Sequence, residues 1–172
     1  MKNLYVMIAL LGTGILSAQA YPRFTNNNEL KFNIGLFLAN STVEGSYEYF
    51  INEDTSIGGT LYFDNNATDY NGNFGMGANL RAYFGYMPRS GFFAEAFGLY
   101  YTGEDKIPDN DLGVRNNDYN TTALGLGAGN KWVTQSGKFS LEINAGIGRN
   151  INPEDFQDTF MFRAGLSIGF RF

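Results

Sequence analysis

The chain has 172 residues, with 12 Lys and Arg against 17 Asp and Glu, a net charge of −5, and neither Cys nor His. That length makes one domain, or one domain behind a leader. The acidic balance leaves no footprint for nucleic acid, and the missing cysteines remove disulfide frameworks and thiolate metal sites. Without histidine, hydrolases that rely on it as a base lose their proton carrier. No phosphate-cradling loop, metal cluster or paired catalytic carboxylates is visible, so the chain reads as no enzyme, with no cofactor and no metal.

Met1-Lys2-Asn3 is a short basic start, Leu4 to Leu16 is apolar apart from Gly12, Thr13 and Gly14, and Ala18-Gln19-Ala20 supplies a small-x-small pattern. This is the layout of a secretory signal peptide over 1–20, removed before Tyr21. Cleavage takes Lys2 with it and leaves 11 bases against 17 acids. A polar lead, 21–28, follows.

From Glu29 on, apolar and polar side chains alternate with a period of two, which is the signature of half-buried strands. Strand one is expected over Glu29–Ala39, with Leu30, Phe32, Ile34, Leu36 and Leu38 outward and Lys31, Asn33, Gly35 and Phe37 inward. A tight Asn40-Ser-Thr42 connection leads to strand two, Val43–Ile51, which turns Glu44, Ser46, Glu48 and Phe50 inward. Asn52-Glu-Asp-Thr55 is a turn by composition. Strand three, Ser56–Asp64, puts Ile57, Leu61 and Phe63 out, and a polar loop, Asn65–Asn73, follows.

Strand four, Phe74–Tyr86, places Asn79, Arg81 and Tyr83 inward, and Met87-Pro-Arg-Ser90 turns the chain. Strand five, Gly91–Thr102, is phased by Glu95: a carboxylate is costly on the apolar face, so Glu95 goes inward with Phe93, Phe97, Leu99 and Tyr101. The longest loop, Gly103–Asn120, is dominated by Asp, Asn and Gly. Strand six, Thr121–Val133, turns Gly125, Gly127, Gly129 and Lys131 inward, where its bare backbone can lie under the rings of strand five. Thr134-Gln-Ser-Gly137 is a short turn. Strand seven, Lys138–Arg149, carries Glu142 inward, and Asn150–Thr159 is the last loop.

The final stretch, Phe160 to Phe172, alternates without a break. Phe160, Phe162, Ala164, Leu166, Ile168, Phe170 and Phe172 share one face; Arg163 and Arg171 lie on the other among small residues. A band of apolar side chains tipped by aromatics at both ends is what a lipid-facing barrel strand needs. Averaging such strands gives a mean hydropathy of only −0.23, which is how a spanning barrel escapes a hydropathy scan. Eight strands is an even number, as a closed antiparallel barrel with both ends on one side requires. The fold expected is therefore all-β: an eight-stranded antiparallel up-and-down transmembrane β-barrel over 29–172. A soluble lipocalin-like barrel would reverse the faces.

Inside the barrel the phases gather Lys31, Arg81, Lys131, Arg163 and Arg171 against Glu44, Glu48, Glu95 and Glu142. An eight-stranded interior is just wide enough for side chains to fill. Unpaired charges there would be costly, so this near balance reads as a paired plug rather than an open pore. In the loop after strand five, Asp109-Asn-Asp111-Leu-Gly113 approaches a calcium loop, but the Gly comes one place early and no Glu completes it. Asp109 and Asp111 are left as carboxylates that could contact a cation or bridge through it to lipopolysaccharide phosphates, beside the plainer reading of a solvated loop.

With leader, eight alternating strands and a terminal Phe172 assembled, the chain resembles the small bacterial outer-membrane β-barrel superfamily typified by OmpX and the OmpA membrane domain, with the related OmpW group. The resemblance covers 29–172. It implies an integral outer-membrane location, outer-membrane lipid and lipopolysaccharide as surroundings, and recognition of the terminal Phe172 by the barrel-assembly machinery. It implies a structural role or a surface-interaction role through extracellular loops, or, as in the OmpW group, a narrow channel for small solutes. No binding motif transfers, because what the superfamily shares is the alternation itself.

Overall fold

Each alternating stretch finds its partner in the next one along the chain. The computed structural model describes residues 26–64, 72–109, 113–151, 153 and 157–172, with 104–109 and 113–117 described by their backbone alone. The expected leader, the lead as far as residue 25, and Asp111 lie outside the described residues.

The strands are β1 (Asn28–Asn33), β2 (Val43–Phe50), β3 (Thr55–Phe63), β4 (Phe74–Tyr83), β5 (Gly91–Asp109), β6 (Gly113–Val133), β7 (Phe139–Ile151) and β8 (Phe160–Arg171). They close into one barrel in chain order, every neighbour antiparallel, with β8 returning to β1. The eight-stranded up-and-down architecture is thus the one the alternation predicts. Following the register from Glu29 through Glu48, Gly58, Asn79, Phe97, Gly125 and Gly148 leads to Met161, ten residues before Arg171, the residue that Glu29 faces directly. That stagger tilts the strands and keeps the interior narrow.

Both chain ends of the barrel meet at one rim, where Asn28 and Phe172 exchange backbone hydrogen bonds of 3.2 and 3.0 Å. The short turns after β2, β4 and β6 lie at that same rim. Arg89, in the β4–β5 turn, ties the rim together. Its Nη1 donates to Asn26 O at 2.8 Å, and its own carbonyl accepts from Arg171 Nη2 at 2.7 Å.

Three expectations need correction. Strand one does not run to Ala39: β1 ends at Asn33 and a helix, α1 (Ile34–Asn40), takes its place. The Asn33 side chain accepts from Leu36 N at 3.1 Å, which caps the helix. Gly35 and Phe37 are therefore not lumen residues, and Phe37 is exposed. A short apolar run suits strand or helix alike, and one cap decided it. Asn40-Ser-Thr42 is accordingly the end of a helix and not a tight hairpin turn, with Ser41 in the left-handed region at φ 60°.

Second, Gly103–Asn120 is not an open loop. β5 and β6 continue pairing from Gly103↔Tyr119 to Asp109↔Gly113, well past Thr102 and Thr122, the last residues with partners on β4 and β7. Strand preference depends on context, and over this stretch the pairing of β5 with β6 carries a run of polar residues that composition alone reads as loop. Pro108 is tolerated because only one side of β5 is paired at that height. Third, strand four stops at Tyr83, with Phe84 and Tyr86 both exposed.

The faces sort as the alternation requires. Leu80, Leu124, Leu126, Ile143, Ile147, Phe162 and Ile168 are exposed on the perimeter. Rings cluster at the rims: Phe84–Phe92 and Phe139–Phe170 near the chain ends, and Phe63–Phe74 opposite. Inside, one apolar cluster (Phe50, Tyr83, Phe93) lies toward the chain ends and a larger one (Tyr62, Phe97, Leu99, Tyr101, Ala123, Met161) toward the far rim. Glycines admit the rings: a Cβ on Gly125 or Gly129 would run into the Phe97 or Phe93 ring.

Candidate functional site

Strand parity alone delivers charged side chains to the interior, and they meet there from opposite walls. Lys131 (β6) projects its ammonium between three carboxylates: Nζ lies 2.7 Å from Glu48 Oε2, 3.2 Å from Glu29 Oε2 and 3.2 Å from Glu142 Oε2. Lys31 (β1) reaches two of them, Glu48 at 2.8 Å and Glu142 at 3.2 Å. Arg81 (β4) reaches the same pair through Nη1, at 3.2 and 2.9 Å, while its Nε bonds Glu95 Oε2 at 2.9 Å. Arg171 (β8) closes the set, Nε to Glu29 Oε2 at 2.7 Å.

One oxygen of Glu48 therefore faces three cations, and so does one of Glu142. The other oxygens are used too. Ser56 Oγ and Tyr83 OH donate to Glu48 Oε1, and Ser140 Oγ donates to Glu29 Oε1 at 2.7 Å. These added bonds matter, since a buried ion is tolerable only when it is paired and hydrogen-bonded. Rings complete the packing: the Arg81 guanidinium lies 4.5 Å from the Phe93 centroid, and that of Arg171 lies 4.8 Å from that of Phe50. Oxygens of Glu29, Glu48 and Glu142 lie within 4.8 Å of one another, the spacing of a cation site. Lys131 Nζ already contacts one oxygen from each, so an internal ammonium holds the position a metal would take.

A second, smaller group lies further along the axis. Arg163 Nη2 stands 3.5 Å from Glu44 Oε2, with its guanidinium 5.2 Å from the Phe97 centroid. Asn33 Nδ2 donates to Glu44 Oε1 at 2.9 Å. Beyond it the apolar cluster fills the section, tied to the wall by Tyr101 OH donating to Asn150 Oδ1 at 2.8 Å.

The structure thus brings Lys31, Glu48, Arg81, Glu95, Lys131, Glu142 and Arg171 into one network and sets Arg163 and Glu44 apart as a second pair. Sequence reading passed over Glu29, although it shares the parity of Lys31; with it, the set becomes five carboxylates against five cations. Ser56, Tyr83 and Ser140 were likewise legible only as inward positions, because a hydroxyl gives no sign of which carboxylate it will reach. Phe172 sits at the rim, its ring 6.3 Å from that of Phe170. Asp109 is the last residue of β5, its side chain outside the description along with Asp111. No protein-family model matches the chain, and a search of curated proteins finds no match either.

Proposed function

We propose that the protein is an integral outer-membrane β-barrel of the small superfamily typified by OmpX and the OmpA membrane domain, exported by its leader and folded with the help of the barrel-assembly machinery. Its lumen is plugged by side chains, it is not an enzyme, and its role is structural or a surface interaction through the loops at the rim away from the chain ends. The observation that carries this reading is the inversion of polarity. Leu126 and Phe162 are each 69% exposed on the perimeter, while Arg171, Lys131, Glu48 and Glu142 are each 1% exposed inside. In water that arrangement wastes apolar burial, whereas in a bilayer it is the arrangement of lowest cost.

The ion pairs support the plug. Lys131–Glu48, Lys131–Glu29 and Arg81–Glu142 reach across the bore, the other pairs join nearer strands, and the side chains of the larger network are at most 4% exposed. The β5–β6 ribbon supports the contact surface, since it projects past its neighbours with a full ladder of its own.

Purified protein in planar bilayers is expected to show no steady conductance. Steady openings that vanish when Arg81 or Arg163 is changed to Ala would overturn the plug in favour of a narrow channel for small solutes. Heat-modifiable gel mobility in the outer-membrane fraction tests the location, and recovery of the protein in the soluble fraction would refute it.

A further inference from the structure

β1 stops at Asn33, but both of its neighbours continue. β8 runs on from Ser167, the last residue it pairs with on β1, as far as Phe160, and β2 reaches Val43, two residues past the one that faces Phe32. One strand is missing from the wall over that stretch, and α1 stands in the seam. Gly35 packs so closely that a Cβ there would lie 3.0 Å from Leu166 Cβ. Asn33 holds the junction, with Oδ1 accepting from Leu36 N at 3.1 Å and from Leu166 N at 3.3 Å, and Nδ2 donating to Glu44. On the inner side the Arg163–Glu44 pair crosses the seam from β8 to β2.

As a helix, α1 is poorly provided for. It has seven residues, no acid in its first turn and no base in its last, and it is shorter than isolated helices need to be. It begins with a β-branched Ile34 followed by Gly35, both weak helix formers. Leu36 is its one buried residue, and it ends at Ser41 in a left-handed conformation that favours glycine.

As a strand, the same residues fit the space beside them. Continuing the β1–β8 register sets Gly35 opposite Gly165, Leu36 opposite Ala164 and Phe37 opposite Arg163. Continuing the β1–β2 register sets Phe37 opposite Asn40 and leaves Leu38-Ala39 as a two-residue hairpin turn.

We propose that residues 34–40 are a two-state strap, converting between α1 and an extension of β1, which opens and seals the barrel wall between β8 and β2. Sealing turns Leu36 outward and brings Phe37 inward over Arg163, which it can meet face-on as a cation–π partner. Hydrocarbon favours the sealed form, because a sheet edge must be covered by another strand there. The Asn33 cap favours the helix. The setting in a bilayer rests on the function proposed above, whereas the exchange itself is a property of the chain and can be read in micelles.

The test is NMR of the full chain in detergent micelles and in lipid nanodiscs, reading Cα shifts and backbone contacts of 34–40. Two exchanging sets are expected, one with sequential helical amide contacts and one with Hα–Hα contacts between Gly35 and Gly165. Asn33→Ala, which removes the helix cap, should raise the strand population about tenfold relative to helix, and Ser41→Gly, which eases the left-handed turn, should shift it the other way. Residues 34–40 that stay helical in Asn33→Ala, or that lose helical shifts without gaining the Gly35–Gly165 contact, would overturn the strap. Failure of the protein to enter nanodiscs would count against the membrane reading alone, because the micelle spectra still decide the strap.

Discussion

Lys131 Nζ and Glu48 Oε2 lie 2.7 Å apart although their strands, β6 and β2, stand on opposite walls of the barrel. This contact spans the bore and braces one wall against the other. Glu48→Gln would leave Lys31, Arg81 and Lys131 short of a charge they all share, a loss of about 3–5 kcal/mol. Urea unfolding in lipid vesicles measures it. The double variant Glu48→Gln, Lys131→Met should cost clearly less than the sum of its two single changes, since it removes both members of the pair. Additive costs would show that the two groups are not coupled.

The bare backbone under Phe97 is packed without room for a side chain. A Cβ on Gly125 would meet that ring and would come within 2.5 Å of Ile147 O and 2.7 Å of Gly148 Cα. Gly125→Ala should therefore cost about 1–3 kcal/mol through forced backbone movement. Gly98→Ala, whose nearest neighbour would be the tip of Leu124 at 3.4 Å, should fall within about 0.5 kcal/mol of wild type. Equal effects in the same unfolding assay would count against ring-over-glycine packing.

Leu126 separates a lipid surrounding from water. At 69% exposure on the perimeter, Leu126→Arg in a bilayer should cost about 2–4 kcal/mol if the residue sits near the midplane. On a water-facing surface the same change would be worth no more than about 0.5 kcal/mol either way. Comparing unfolding in vesicles with that of Tyr86→Arg, 97% exposed in the β4–β5 turn at the rim, gives the contrast. No difference between the two variants would go against the proposed membrane band.

On the outer-membrane reading proposed above, Phe172 should matter to assembly more than to the finished barrel. Its ring is half exposed, and its bonds to Asn28 are made by the backbone. Phe172→Ala is expected to lower the amount of folded barrel recovered from cells several-fold, while the refolded variant unfolds within about 1 kcal/mol of wild type, as a partly exposed contact implies. A loss of stability with normal assembly would reverse that assignment.

The strands were legible because period two is written over long runs, as in Phe139–Ile147 and Phe160–Phe172. The phase of β5 was settled by a single carboxylate, Glu95. What escaped was local. Ile34-Gly-Leu-Phe-Leu38 carries a strand pattern, yet the Asn33 side chain starts a helix there, and nothing in the alternation announces it. The β5–β6 ribbon escaped for the opposite reason: its Asn and Asp residues look like loop, but their backbone is paired residue by residue. The charged interior could be gathered from parity, apart from Glu29 at the margin of its strand. Its pairing could not, because which cation meets which carboxylate depends on the ten-residue stagger.

Lys131, Glu29 and Arg171 carry a further consequence for the medium. Mobile ions weaken attractions only where they can approach, over a screening distance of about 8 Å at 0.15 M, and these side chains are fully enclosed. Raising the salt of the bath should leave the bracing unchanged while it blunts whatever the surface charges do. A barrel held together in this way keeps the same interior in fresh water and in brine.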